Sequence, residues 1–90
     1  MKKYMIERHI PDIGTFEHDQ YKAAAAKSNE VLAQLGPEIE WVESYVAANQ
    51  TYCIYNASDE NIIRKHSEIS GFPANKITEL VTGISPETAN

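Results

Sequence analysis

The sequence predicts an α+β fold of the ferredoxin-like kind: a βαββαβ plait with a four-stranded antiparallel sheet and two helices on one face. Three observations lead there. Apolar residues alternate with a period of two in short runs near residues 3–10, 39–47, 51–55 and 75–81. Helical spacing fills the two intervals that follow the first and third of these runs. Each helical interval closes on a Gly/Pro pair, Gly36–Pro37 and then Gly71 with Pro73.

The first run, "KYMIERHI", sets Tyr4, Ile6 and Ile10 on one parity and Met5, Glu7 and His9 on the other, a strand with two chemically different faces. "PDIGT" reads as a loop in which Asp12 or Thr15 offers an N-cap. From Phe16 to Leu35, Tyr21, Ala24, Ser28, Val31, Leu32 and Leu35 share a stripe. The run Ala23 to Ala26 favours helix and offers a close approach to a sheet. "IEWVESYVA" sets Val42 and Val46 against Trp41, Glu43 and Tyr45, and "ANQ" turns the chain into "TYCIY", completing a hairpin. Ser58 then caps a second helix with Ile62, His66 and Ile69 on one stripe, and "NKITELV" supplies the last strand. Residues 1–82 are expected to form a single domain and residues 83–90 a flexible C-terminal tail.

With right-handed crossovers, both helices cover one face of the sheet. The other face is then bare. If the helices cover the Val42 and Val46 side, Trp41, Tyr45 and Met5 lie on that bare face. Burying ~600 Å² of apolar surface there is worth roughly 15 kcal/mol before entropy costs. A homodimer packed through the sheets is therefore expected.

Ninety residues with 42% hydrophobic content suit one modest core. A net charge of −5, spread along the chain, argues against nucleic acid or an anionic membrane surface and favours a cationic ligand. One cysteine excludes an internal disulfide. "MKKYMIERHIPD" contains no apolar signal core and no run spans a bilayer, so a cytoplasmic location is expected. Glycine-rich phosphate loops, G-x-S-x-G, H-E-x-x-H and paired-cysteine motifs are all missing.

His66 and Cys53 are the informative residues. A histidine on an apolar stripe is either a hydrogen-bonded core residue or a ligand in a cavity between helix and sheet. Cys53 is either a small buried hydrophobe or a soft metal ligand. The two can meet only if Cys53 points at the helices. Tyr52 with Ile54, or Cys53 with Tyr55, would serve equally as the core pair. Glu7, His9, Glu43 and Glu79 form a second set on strands, with Glu7 and Glu79 as candidate neighbours. Solvent, or pairing with Lys3, Arg8 or Lys76, accounts for them equally well. His18 falls in a first helical turn and is set aside.

The stretch "WVESYVAANQTYCIYNASDENIIRKHSEISGFPANKI", with "KKYMIERHIP" and "AAAAKSNEVLAQLG" before it, resembles a small bacterial family of a domain of unknown function. Some of its members are described as nickel-binding. The pattern runs over residues 3–81: "YC" in the third strand, a histidine in the second helix, then "GFPA". The resemblance implies a ferredoxin-like homodimer in which Cys53 faces the second helix and shares a site with His66. It also implies nickel, or another divalent transition metal; His9 or Glu7 would complete the shell of such a site, although "YMIERHIP" departs from a first strand rich in histidine.

Two functions follow as expectations. One is a homodimer binding a divalent metal through Cys53, His66, His9 and Glu7. The other is a small-molecule-binding protein or enzyme with a pocket between helices and sheet, using His66 as acid/base and Tyr52 or Tyr55 to orient the substrate. A sheet face that pairs with another protein is a third, plainer reading.

Overall fold

The computed structural model describes residues 1–90. Strand β1 (Lys2–His9) leads through a 3-10 turn (Ile13–Thr15) into helix α1 (His18–Leu35). The hairpin β2 (Ile39–Val46) and β3 (Gln50–Ala57) follows, then helix α2 (Glu60–Ser70), strand β4 (Lys76–Leu80) and a terminal 3-10 turn (Pro86–Ala89). The strands pair antiparallel in the order β2-β3-β1-β4, with β1 central as the plait requires. No helix is long and apolar enough to cross a membrane.

Strand alternation decides what each face holds. On β1, Tyr4, Ile6 and Arg8 point inward, opposite Tyr55, Cys53 and Thr51 of β3. Cys53 and Tyr55 are thus the inward pair of the third strand. Tyr52 and Ile54 face the other way, beside Glu7 and Met5. Tyr4, Ile6, Cys53 and Tyr55 join Ile39, Ala57 and Ile63 in one apolar cluster.

Strand β2 departs from simple alternation. Trp41 pairs with Tyr55 and Glu43 with Ile54, so Val42 is an extra residue in a β-bulge. The bulge flips the parity beyond it. Trp41 and Ser44 then share the inner face, joined by a 2.9 Å hydrogen bond from Trp41 Nε1 to Ser44 Oγ. Tyr45 stays on the open face at 58% exposure, as expected, whereas Val42 is 45% exposed and Trp41 belongs to the interior.

The helices begin later than local composition suggests. Asp12 caps the 3-10 turn in a left-handed conformation, φ 61°. Helix α1 starts after Glu17, whose N–H donates to Gln20 Oε1 at 2.8 Å. In α2 the cap is Asp59, one residue beyond Ser58, and its carboxylate accepts from Ile62 N at 3.2 Å. The buried face of α2 is Ile63, His66 and Ser70, and Ile69 is 45% exposed. The stripe is rotated by one residue from the expected one, but His66 belongs to both.

Gly14 is the one glycine with no room for a side chain. A Cβ there would lie 2.7 Å from Ala48 Cα and 2.9 Å from Ala47 O. Its N–H donates to Ala48 O at 2.9 Å, pinning the 3-10 turn to the β2–β3 hairpin. Tyr21 Oη donates to Ile13 O at 2.6 Å, tying the same turn to α1.

Candidate functional site

The two ends of the sheet are covered unequally. Beneath α2, Ile6, Ala57 and Ile63 are fully enclosed. Beneath α1, only Ser28 and Val31 of the helix are buried. Ala24 and Ala25 face the sheet without filling the space, so the short side chains expected to bring helix and sheet together instead leave a cavity of about 550 Å³.

Its walls are apolar: Ile10, Ile13 and Phe16 from the segment after β1, Ala24 and Ala25 from α1, Trp41 and Val46 from β2, and Phe72 from the α2–β4 loop. The polar lining is concentrated on the sheet and α1, in Arg8, Ser28, Ser44, Thr51, Cys53 and Tyr55. Volume and composition fall within the usual range for a small-molecule pocket.

The sequence offers Arg8, with Lys3 and Lys76, as a surface partner for carboxylates, and the structure places it elsewhere. Inward parity on β1 leaves it only 3% exposed. Its Nη1 donates to Phe72 O at 3.2 Å and Pro73 O at 2.9 Å, and its Nη2 donates to Tyr55 Oη at 3.5 Å. The guanidinium lies 5.9 Å from the Tyr55 ring centroid. The three ion pairs of the molecule, Lys2–Glu79, Arg64–Glu60 and Lys76–Glu7, all leave Arg8 out. A buried cation therefore meets carbonyls and a phenol but no carboxylate.

Behind the pocket wall, His66 is 1% exposed, with Nε2 3.1 Å from Ser28 Oγ. Its ring sits 5.6 Å from that of Tyr55, and Nδ1 is buried without a partner. Burial, with the nearby Arg8 charge adding to it, lowers the His66 pKa to about 4, so the imidazole is neutral at physiological pH. Burial also raises the Tyr55 hydroxyl above its ordinary value, with Arg8 only partly offsetting it.

Ser28 and His66 have the spacing of a nucleophile–base pair, but no third group orients the imidazole through Nδ1. So acidic a histidine is also a weak general base. Of the tyrosines expected to orient a substrate, Tyr55 lines the cavity and Tyr52 lies on the opposite face of the sheet.

The four expected metal ligands do not converge. Cys53 and His66 are both buried on the helix side, and Cys53 Sγ lies 3.5 Å from Thr51 Oγ1. Glu7 and His9 have the other parity and occupy the open face. There Glu7 accepts from Gln50 Nε2 at 3.1 Å and meets Lys76 Nζ at 4.0 Å. Glu79 pairs across from Tyr4, so it is not Glu7's neighbour. No group of three or more His, Cys, Asp or Glu side chains gathers anywhere in the chain. Within one chain, these residues do not fit a metal centre.

Residues 4–80 match the family described as nickel responsive protein SCO4226-like, and the chain belongs to that family. Its fold is similar to the crystal structure of SCO4226 from Streptomyces coelicolor A3(2), with a TM-score of 0.76 at 15% sequence identity, covering 91% of this chain and 99% of that one. No curated protein matches the chain.

Proposed function

We propose that this SCO4226-like protein is a small-molecule-binding protein that holds an apolar ligand between α1 and the sheet. One observation carries the reading: a cavity of about 550 Å³ with aromatic and aliphatic walls in a chain of only 90 residues. The space opens to solvent, so its aromatic and aliphatic walls expose apolar surface that a bound apolar body would remove from water. Trp41, the single tryptophan, lines the cavity and reports on its contents. Titration with an anilinonaphthalene sulfonate dye should give saturable energy transfer from Trp41 at one dye per chain. Absence of transfer up to millimolar dye would sink the reading.

The protein works as a homodimer in this account, two copies meeting through their open faces. Met5, Tyr52 and Ile54 are half-buried there in one chain, and Tyr45 is exposed beside them. Sedimentation should give a dimer that Ile54→Lys converts to monomer; a monomeric parent at high micromolar concentration would contradict it.

The family description favours a second reading, a role tied to nickel. Because Cys53 and His66 are separated by the sheet from Glu7 and His9, a nickel site in this chain would use one set or the other. The open-face set, with ligands added by the second copy, is the accessible one. Elemental analysis of untagged protein after nickel loading, on the parent, His9→Ala and His66→Ala, separates the cases. Nickel lost with His9 supports the open-face site, and nickel retained in both variants excludes both sets.

A further inference from the structure

We infer that the pocket selects a carboxylic acid with an apolar body, its carboxylate received by Arg8 and the Tyr55 hydroxyl. The inference rests on the pocket reading above and names the ligand class. Arg8 is the one charged residue among those lining the cavity, and it is 97% enclosed without a carboxylate partner. A permanent cation so far from water is normally paired, because desolvation penalises an isolated charge. Arginine presents five N–H donors. The bonds to Phe72 O, Pro73 O and Tyr55 Oη use at most three, so at least two N–H groups have no protein acceptor. Tyr55 Oη accepts from Arg8 and keeps its own O–H to donate.

The chemistry narrows further. One guanidinium balances one negative charge, and no lysine or second arginine lines the cavity to neutralise the second charge of a phosphate monoester. The fork of N–H groups matches the planar geometry of a carboxylate. The remaining lining is mostly hydrocarbon and aromatic, which calls for an alkyl or aryl body rather than a sugar or peptide. The chain's overall charge of −5 pointed towards a cationic ligand, but the local charge at this pocket is positive.

The test compares decanoate with decanamide, a neutral ligand of nearly the same shape, by calorimetry and Trp41 emission on the parent protein. A charge-assisted pair at this site should make the acid bind about ten- to a hundredfold tighter. Arg8→Met should abolish that preference. Because Arg8 also holds the Phe72–Pro73 carbonyls, the variant's fold is checked by circular dichroism, and the acid–amide ratio of the parent decides alone if it fails to fold. Equal affinity for acid and amide would overturn the carboxylate assignment while leaving the pocket reading intact. Failure of both to bind would overturn both.

Discussion

Helices α1 and α2 lie on the same sheet, yet α2 and the second half of α1, through Leu32 and Leu35, seal it, while the first half of α1 leaves a cavity. Beneath α2, the branched side chain of Ile63 fills the space above Ile6 and Ala57, and all three are inaccessible to water. Beneath α1, Ala24 and Ala25 stand where larger residues would pack, with Arg8, Tyr55 and Cys53 across the gap. The difference separates a densely packed part of the sheet, inaccessible to water, from a part that leaves open space beside it.

The largest effect is expected at Ile63, which is fully enclosed beneath α2. Ile63→Ala removes a fully enclosed side chain and should cost about 2–5 kcal/mol in urea unfolding; a loss under about 1 kcal/mol would mean the α2 end is not the tight one. Next is His66, which joins the two ends. Its folded pKa of about 4 lies below the unfolded 6.5, so the unfolded chain binds the extra proton between those values. Stability should be full above pH 6.5 and fall by up to about 3 kcal/mol as pH drops to about 4. The slope between pH 7 and 5 should flatten in His66→Phe, and an unchanged slope would assign it to other groups.

Gly14→Ala drives a methyl into the hairpin backbone and should destabilise by about 1–3 kcal/mol, read as a lowered melting temperature. The smallest stability effect belongs to Ala25→Leu. It adds bulk to a wall that has room, so unfolding should shift by less than about 1 kcal/mol while dye binding is lost. A large destabilisation with dye binding intact would reverse the comparison.

Most of the fold was legible because alternation and Gly/Pro punctuation are local signals. The central β1, the hairpin and the two glycine-closed helices all follow from them. The bulge at Val42 was not legible: "IEWVESYV" alternates plausibly in either parity, and only pairing with β3 reveals the extra residue that turns Trp41 inward. His66 was legible because it belongs to both the expected stripe and the buried face, although Ile69 on that stripe is exposed. Arg8 was missed as a site residue because arginine in a strand reads as solvated. The available clue was its parity, shared with Tyr4 and Ile6. Ser28 lay on the expected helical stripe, but its contact with His66 spans 38 positions and leaves no local trace. The four metal candidates do not converge within one chain for a related reason. Glu7 and His9 are near Cys53 in strand register, but alternation sends them through to the other side of the sheet.

Chemical-shift mapping of the backbone amides during decanoate titration tests the central claim most directly. Saturable shifts are expected at Arg8, Ser28, Thr51, Cys53, Tyr55 and the Trp41 indole, with the open-face amides of Met5, Glu7 and Tyr52 unmoved. Shifts confined to that open face, with Trp41 and Ser28 silent, would place the binding surface on the wrong side of the sheet and contradict it.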